Sequence, residues 1–468
     1  MDTKVKNPTP QQHDTENLKY PTPITNTHKK CIRVGIVRLS SFGDVVVSAS
    51  LLAGFRAALT QLAVKLDSSV CIEWFIDERF SGILADSPAI DVLHALPMRT
   101  LKTPKSVRTM WQFLRGLGEF DIVLDLQGLI KSALVGKALR GKQFVGFSFL
   151  AAREGLASLA YSKRVQIPYD SNILVRNFAI YTRALELCGA NWHVLEALDS
   201  SLDSRTPESR ETAKLEAIFR QEIPAHSKDS GSLSGVFARC VGLRAGGFGV
   251  DMKLARALVS TPESIGESLD PVLDPVLDPS IDSLDSSVYR VLFVLEASIA
   301  QKTYPLQHFA MLATLMQRTC GACEFYLIYH SAKERALELR AMLHASCLHA
   351  HLLPPLDFTM LKLLLKRMDC VIGGDTGVTH LAWALGSARV ITLLGNAATT
   401  SGKNMSQTKL SRVLLGNPIA LSQSGSFEIA SITPQTIHEI WKTEVLEQES
   451  PGKNLNISAI TNKPRSDI

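Results

Sequence analysis

Two acidic residues in this sequence follow predicted strands, where a parallel sheet places its ligands. The first, Asp44, lies after an apolar, β-branched run, 32–39, and at the start of an apolar-periodic segment, 45–59. These patterns predict a strand, a tight turn and a helix. Because open α/β sheets bind ligands beyond the carboxyl ends of their strands, Asp44 would lie at such a site. Taken alone, the position also fits a helix cap, for which Ser40, Ser41 and Asp44 all have suitable side chains.

The second acidic residue begins the motif Asp375-Thr-Gly-Val-Thr-His380, after a predicted strand, 369–374, and at the start of a predicted helix. The backbone N–H groups of Thr376 and Gly377 would face an approaching anion, and His380 lies one turn further on. This geometry fits a diphosphate. The same motif also fits an N-capped helix with a turn glycine and a structural histidine.

Asp-Thr-Gly is also the triplet of aspartic proteases, and Asp229-Ser-Gly231 could supply its partner. That chemistry needs two carboxylates in contact within a β-rich fold. Asp229 lies in a low-complexity segment, so we discount this alternative.

A lysine, Lys302, follows the predicted strand 289–295 and precedes a helix that begins near Pro305. An ammonium group in such a loop could neutralise phosphate charge. By frequency alone, a solvated loop lysine is the simpler interpretation.

The elements that would position these residues alternate between apolar strands and amphipathic helices, which is typical of parallel α/β domains. In the first block we predict strands at 32–39, 70–77, 91–96, 121–126 and 143–147, with helices at 45–59, 78–85, 104–117, 129–139 and 171–188. In the second block we predict strands at 289–295, 324–329, 369–374 and 389–394, with helices at 305–316, 332–343, 358–366, 375–385 and 434–446. Two such domains suggest a ligand cleft between facing carboxyl ends.

This alternation divides the chain into two domains, a linker and two tails. The predicted segments are a disordered tail (1–30), an N-terminal Rossmann-like domain (31–190), a linker with a low-complexity acidic insertion (191–287), a C-terminal Rossmann-like domain (288–447) and a flexible tail (448–468). The repeat from Leu269 to Pro279 places Pro at every fourth residue and cannot continue a helix or a sheet. Within the insertion, 213–221 and 251–258 could form short helices.

Composition excludes several classes of protein. The chain has 468 residues, 20% charged and 46% hydrophobic, and its net charge of +5 gives no general case for nucleic-acid binding. The first thirty residues lack the apolar core of a signal peptide, and we expect no apolar run to span a bilayer. Of the eight cysteines, only Cys320 and Cys323 are close in sequence, and we predict reduced structural thiols in a cytoplasmic protein.

The first block carries a basic stretch. Twelve Lys and Arg lie between Arg99 and Arg164 against four Asp and Glu. If this charge gathers on one face, it favours a polyanionic acceptor or an anionic membrane surface. Several solvated helix faces are the alternative.

Taken together and in this order, the motifs resemble the lipopolysaccharide heptosyltransferases of glycosyltransferase family 9, and type I members more than type II. The segments that carry the resemblance are Arg38-Leu-Ser-Ser-Phe-Gly-Asp44, Asp125-Leu-Gln-Gly-Leu-Ile-Lys-Ser-Ala133, Ala152-Arg-Glu154, the Lys302 loop and Asp375-Thr-Gly-Val-Thr-His380. The resemblance covers about 32–188 and 289–404. It implies an α/β protein of the GT-B fold, in which two Rossmann-like domains face each other across a cleft.

The resemblance also implies a reaction. It is an inverting transfer of L-glycero-D-manno-heptose from ADP-heptose to the first Kdo of Kdo2-lipid A, without metal or cofactor. By this analogy Asp44 is the catalytic base. Donor-binding positions would be Ser298, Lys302, Glu334, Asp375, Thr376, Gly377 and His380. Acceptor-binding positions would be Ser41, Gly43, Arg99, Lys102, Lys131 and Arg153. The enzyme would work in the cytoplasm, peripherally on the inner membrane.

Some residues depart from the family pattern. Only Glu334 is acidic after the strand 324–329, where the family has an acidic cluster with a ribose-binding glutamate, and the residues after Gly395 also differ. Transfer to a later core acceptor, and a nucleotide-sugar-binding protein without catalysis, therefore stay open. A Rossmann dehydrogenase is excluded, because the turn 39–44 has a single glycine instead of Gly-x-Gly-x-x-Gly.

Overall fold

The structure, a computed structural model, describes residues 30–192, 195, 230–250, 276, 285–297, 302–386, 388–394, 419–421 and 429–446. These residues contain two six-stranded sheets in which all paired neighbours are parallel. Parallel pairing follows from the alternation of strands and crossover helices along the chain. The two α/β blocks predicted from the sequence are thus confirmed.

The first sheet has the strand order β3-β2-β1-β4-β5-β6. Its strands are β1 (Cys31–Val37), β2 (Ser69–Asp77), β3 (Val92–Leu96), β4 (Phe120–Asp125), β5 (Gly141–Phe147) and β6 (Lys163–Val165). Its helices are α1 (Phe42–Ala49), α2 (Leu52–Lys65), α3 (Ser81–Leu84), α4 (Pro104–Gly116), α5 (Ile130–Ala138) and α6 (Ile173–Cys188). The order reverses between β1 and β4, which creates the crevice where such sheets bind ligands.

The predicted linker contains a packed helix that the sequence analysis missed. Helix α7 (Ser230–Gly242) contacts α2, and the Cys240 thiol donates to the carbonyl of Leu51. Its Ser and Gly residues disfavour a helix in isolation. Burial of Val236, Phe237 and Cys240 stabilises it instead. The helices considered at 213–221 and 251–258 lie outside the described residues, as does the acidic repeat apart from Val276. Both predicted tails also lie outside them, apart from Lys30.

The second sheet has the order β12-β11-β10-β7-β8-β9, which repeats the order of the first. Its strands are β7 (Tyr289–Val294), β8 (Cys323–Ile328), β9 (His349–Leu352), β10 (Cys370–Gly374), β11 (Arg389–Leu394) and β12 (Ile419–Leu421). The accompanying helices are α8 (Leu306–Cys320), α9 (Lys333–Ala345), α10 (Phe358–Lys366), α11 (Gly377–Leu385) and α12 (Pro434–Ile440). Here the order reverses between β7 and β10.

The sequence analysis missed the three shortest strands, β6, β9 and β12. Each has three or four residues and lies at a sheet edge, where a strand needs no continuous apolar run because it pairs on one side. The helix predicted at 45–59 begins earlier, at Phe42, and is interrupted between Ala49 and Leu52.

One apolar core cluster extends from the first sheet into α10 and α11 of the second domain. The fully buried Lys362 of α10 donates through Nζ to the carbonyl of Ala85, beside α3, at 3.0 Å. Arg244, which follows α7, donates to the carbonyl of Trp383 in α11 at 3.0 Å. The two domains therefore share a packed interface.

One stretch of the described chain, Phe42–Lys65, is long and apolar enough to cross a membrane, whereas the sequence analysis expected none. It comprises α1 and α2, and 67% of its most apolar window is buried inside the protein. That degree of burial is typical of a core helix.

Candidate functional site

The candidate base, Asp44, is held by three contacts within the first domain. Its Oδ2 lies 2.9 Å from Arg38 Nη2 and accepts from Ser41 Oγ at 3.0 Å and from the Ser41 N–H at 3.3 Å. Among the described residues no such contact falls on Oδ1. Ser41 is the N-cap of α1 and Asp44 is the third helical residue, so Asp44 is not the N-cap itself. The contacts on Oδ2 orient the carboxylate, and Oδ1 stays available to accept a proton from a ligand.

The turn that carries Arg38 and Ser41 is held by the turn after β4. Gln127 Oε1 accepts from the Leu39 N–H at 2.9 Å, and Gln127 Nε2 donates to Ser40 Oγ at 3.3 Å. The buried Arg38 guanidinium also donates to the carbonyl of Leu126. The Gln127 motif found in the sequence therefore positions Asp44 through the backbone of the neighbouring turn.

A buried carboxylate, Asp125, shapes this second turn. It accepts from the N–H of Gln127 at 2.8 Å and of Gly128 at 3.1 Å, and from the hydroxyls of Ser132 and Tyr161 at 2.8 Å each. Burial raises the pKa of Asp125 although these four donors oppose the shift. Asp125 is a structural group, since its oxygens are all engaged away from solvent.

On the second domain, Asp375 connects a lysine and a histidine. Its Oδ2 lies 3.1 Å from Lys302 Nζ and its Oδ1 lies 2.9 Å from His380 Nε2. Burial alone would raise the pKa of Asp375, but His380 and Lys302 outweigh it and hold that pKa well below its ordinary value. Asp375 is therefore ionised at neutral pH, and it positions the Lys302 ammonium and the His380 imidazole.

The start of α11 offers fewer free donors than the sequence predicted. Thr376 is the N-cap, and its N–H donates to Thr379 Oγ1 at 3.1 Å. The Thr376 N–H is thus already used, contrary to its predicted role toward an anion. The N–H of Gly377, the first helical residue, has no partner within the helix and remains available for a ligand.

A fourth carboxylate, Glu296, lies just beyond β7. Its oxygens accept from the N–H of His330 at 3.0 Å and of Ser331 at 2.9 Å, and from the N–H of Ala332. Burial would raise the pKa of Glu296, but these N–H donors hold it below its ordinary value. Glu296 thereby joins the loop after β7 to the loop after β8.

Two glycines bring the domains together at the site. A Cβ at Gly43 would collide with the ring of His380, and a Cβ at Gly377 would collide with the ring of Phe42. The Phe42 ring also packs edge-on against Phe358, with centroids 5.1 Å apart. Helices α1 and α11 approach this closely because glycine leaves room for an aromatic ring from the other domain.

The cleft between the domains measures about 1180 Å³. Nine of the residues predicted from the sequence line it: Ser41, Gly43, Asp44, Arg99, Lys302, Asp375, Thr376, Gly377 and His380. The predicted acceptor and donor sides therefore share one cavity, with a carboxylate on one wall and an ion-paired lysine on the other.

Four predicted residues do not line this cleft. Lys102, Lys131 and Arg153 are exposed elsewhere on the first domain. Glu334 is exposed in the first turn of α9, where Glu296 already binds the preceding N–H groups. Glu334 therefore lies away from the cleft lining, and its donor-binding role stays a prediction. Ser298 lies outside the described residues.

Sequence reasoning missed three charged groups of the site: Arg38, Arg79 and Glu296. Arg79 and Glu296 line the cleft, and each stands two residues after the end of its strand. That position was a usable signal, since strand ends converge on ligands. The role of Arg38 depends on a contact across a turn, which spacing does not reveal.

No group of three or more His, Cys, Asp and Glu side chains suited to a metal ion occurs in the part of the chain that the structure describes. None of the eight cysteines, all of which lie among the described residues, forms a disulfide, and Cys320 and Cys323 are buried.

Comparison with known proteins connects this cleft to an enzyme family. The family model described as glycosyltransferase family 9 (heptosyltransferase) matches residues 107–217 and 277–416, which is more than half of the chain. The chain belongs to glycosyltransferase family 9. It is therefore a glycosyltransferase, as the motifs indicated.

Individual relatives of this family 9 protein agree with the assignment. It is 26% identical over 388 residues to a lipopolysaccharide heptosyltransferase 1 of Campylobacter coli, over 82% of this chain and 89% of that protein. The E. coli heptosyltransferase WaaC with ADP has a TM-score of 0.53 at 18% identity, covering 89% of this chain and 98% of that chain. The same enzyme with ADP-2-deoxy-2-fluoro heptose has a TM-score of 0.53 at 19% identity, covering 88% and 99%. These structures confirm the predicted GT-B fold.

Replacing Asp375 with Asn should lower the free energy of unfolding by about 3 kcal/mol at neutral pH, because the buried carboxylate partner of Lys302 is lost. The pKa of Asp375 is lower in the folded protein than in the unfolded chain. Its stabilisation is therefore complete above about pH 4, the ordinary pKa of an unfolded Asp, and is lost as the pH falls through the folded-state pKa.

Urea unfolding at neutral and at strongly acidic pH measures this difference. Exposed Glu119→Gln is the control and should change stability by less than about 0.5 kcal/mol. A difference between the wild type and Asp375→Asn that grew towards acid would contradict the ion-pair account.

Replacing Gly377 with Ala should destabilise the protein by about 1–3 kcal/mol, because the new methyl group collides with the Phe42 ring. Gly116→Ala is the matched control: nothing lies within 4 Å of its added Cβ, so it should be neutral or slightly stabilising. Urea unfolding of Phe42→Ala, Gly377→Ala and the double variant completes a double-mutant cycle. Additive effects in that cycle would show that the two residues do not interact.

Proposed function

We propose that this family 9 protein transfers L-glycero-D-manno-heptose from ADP-heptose to the first Kdo of Kdo2-lipid A, with inversion at the anomeric carbon. The observation that carries the proposal is that Asp44 and the Lys302–Asp375–His380 group line the same cleft. Each lies beyond the carboxyl ends of the strands where its own sheet reverses order. The relatives named above, a heptosyltransferase 1 and an enzyme with an ADP-heptose analogue, support the choice of sugar and donor.

In the proposed reaction, Asp44 Oδ1 accepts the proton of the acceptor hydroxyl. The hydroxyl oxygen forms a bond to the anomeric carbon while the bond from that carbon to the phosphate oxygen breaks. Arg38 and Ser41 hold Oδ2, so the carboxylate stays oriented as its charge is neutralised. The acceptor attacks from the face opposite ADP, and inversion follows.

The leaving ADP takes up the negative charge that develops. We propose that the Lys302 ammonium and the N–H of Gly377, which both line the cleft, contact its diphosphate. Asp375, which holds Lys302 and His380, would receive hydroxyls of the donor sugar. Positive charge for the leaving group is thus available from the protein itself, and we propose that no metal or other cofactor takes part.

The acceptor would enter on the side of the first domain. Arg79 and Arg99 line the cleft there and could contact acidic groups of a Kdo-containing acceptor. Because this acceptor is a membrane lipid, the enzyme is proposed to act in the cytoplasm, peripherally on the cytoplasmic face of the inner membrane.

A transfer assay tests the proposal. Purified protein is incubated with ADP-heptose and Kdo2-lipid A, with and without EDTA, and the lipid mass and released ADP are measured. A gain of one heptose that EDTA does not prevent is the expected result. No gain with this acceptor, but a gain with a later core acceptor, would replace the acceptor in the proposal. ADP binding without any turnover would favour a nucleotide-sugar-binding protein.

Replacing Asp44 with Asn should lower kcat by about 10²–10⁴-fold, because the amide cannot accept the proton. ADP affinity should be retained, since Asp44 belongs to the first domain and the proposed ADP contacts, Lys302 and Gly377, belong to the second. Asp67→Asn is the matched control, because Asp67 is exposed and lies before the amino end of β2, away from the carboxyl ends that form the cleft. Transfer kinetics and ADP titration measure both effects, and substantial turnover by Asp44→Asn would remove Asp44 from the role of base.

A further inference from the structure

A short segment of the first domain exposes large apolar side chains. Phe149, Leu150, Leu156 and Leu159 are between 57% and 79% exposed. They lie in the loop after β5 and in the 3₁₀ helix Gly155–Ala160. Scattered exposed apolar residues are common, but four within eleven residues form a patch.

The neighbouring helix α5 continues this patch. Ile130 and Leu134 are 42% and 55% exposed, and Lys131 and Lys137 are exposed beside them. At 100° per residue these four positions fall on one side of the helix. An exposed helix face that mixes apolar residues with lysine is typical of helices that lie in a membrane interface.

Hydrogen bonds join the two elements into one surface. The Ile130 N–H donates to Glu154 Oε2 at 2.6 Å, and the Glu154 N–H donates to the carbonyl of Gly128 at 3.0 Å. Arg164 Nε donates to the carbonyl of Ser158 at 2.9 Å. We call the exposed side chains of 130–137 and 149–164 the apolar–basic surface.

The charge of the apolar–basic surface is positive. Its exposed basic residues are Lys131, Lys137, Arg153 and Arg164. Its acidic residue, Glu154, is engaged with the N–H of Ile130. Lysine is depleted at the centre of protein–protein interfaces, whereas it is favoured where an apolar surface meets anionic lipid headgroups. Its aliphatic stem can lie along the acyl region while the ammonium reaches the phosphates.

We propose that the apolar–basic surface docks the enzyme onto an anionic lipid bilayer. The leucines and Phe149 enter the acyl boundary, and the basic side chains contact lipid phosphates. This inference deepens the proposed function and rests on it, because an amphiphilic acceptor gives the enzyme a reason to meet a membrane.

The apolar–basic surface is linked to the acceptor side of the cleft. Burial would raise the pKa of Asp77, but hydrogen bonds from Arg79 and the nearby charges of Arg79 and Lys131 hold it below its ordinary value. The charge of Lys131 thus acts on Asp77, whose ion-pair partner Arg79 lines the cleft. A lipid could keep its acyl chains in the bilayer while its headgroup passes Lys131 and Arg79 towards Asp44.

Vesicle cosedimentation tests the docking surface without relying on catalysis. The probe is a vesicle of equal parts phosphatidylglycerol and phosphatidylcholine, compared with pure phosphatidylcholine. Leu150→Ser/Leu159→Ser should weaken binding to the anionic vesicle by about tenfold or more, because two inserted leucines are lost. Val64→Ser/Leu66→Ser is the matched control at the end of α2, where those residues are 75% and 57% exposed, and it should bind as the wild type does.

A second pair of variants tests the charge. Lys131→Gln/Lys137→Gln should weaken binding by about tenfold at low salt, and the difference should shrink at high salt. Lys333→Gln/Lys366→Gln, exposed on the second domain, is the control and should leave binding unchanged.

The outcomes separate this proposal from the proposed function. Loss of vesicle binding by the leucine variant, with transfer to a water-soluble Kdo acceptor preserved, supports the docking surface. The docking surface is overturned if the wild-type protein does not bind anionic vesicles, or if the leucine variant binds them as the wild type does, even when heptose is transferred. A leucine variant that changes the oligomeric state, and not vesicle binding, assigns the surface to a second copy and also overturns it. If no heptose is transferred from ADP-heptose but the protein still binds the vesicles, the proposed reaction is rejected and the docking surface is retained.

Discussion

The close contact between α1 and α11 determines how the two halves of the site meet. Each helix has a glycine, Gly43 or Gly377, against which an aromatic ring of the other domain packs. This contact lies directly beside Asp44 and Asp375, so it fixes the distance across which a donor and an acceptor would react. A methyl group at either glycine would collide with that ring and disturb the contact between the domains.

Within each wall of the cleft, other groups of the protein hold each carboxylate. Arg38 and Ser41 hold one oxygen of Asp44, Lys302 and His380 hold Asp375, and backbone N–H groups hold Glu296. Such support lowers the reorganisation that a substrate would otherwise impose on the site. The supporting groups come from turns that neighbour each carboxylate. Two sheets of the same strand order therefore suffice to build the site.

The sequence predicted those features that depend on local pattern. Asp44, Lys302 and Asp375 were found because each follows a recognisable strand, and parallel strands end at a common edge. Tertiary contacts explain where the structure departs from these expectations. Thr379 takes the N–H of Thr376, and Glu296 occupies the N–H groups near Glu334. Helix α7 was missed because its stability comes from burial and not from its own residues. Contacts of this kind link residues far apart in sequence, which spacing alone does not encode.

The shared core has a consequence for how the protein folds. The apolar cluster that runs from the first sheet through α7 to α10 and α11, with Lys362 donating to Ala85 inside it, belongs to neither domain alone. Cutting the chain between the domains would leave each fragment with a large solvent-exposed apolar face and the ammonium of Lys362 without its acceptor. The two Rossmann-like halves thus share one hydrophobic interior, to which both contribute buried side chains.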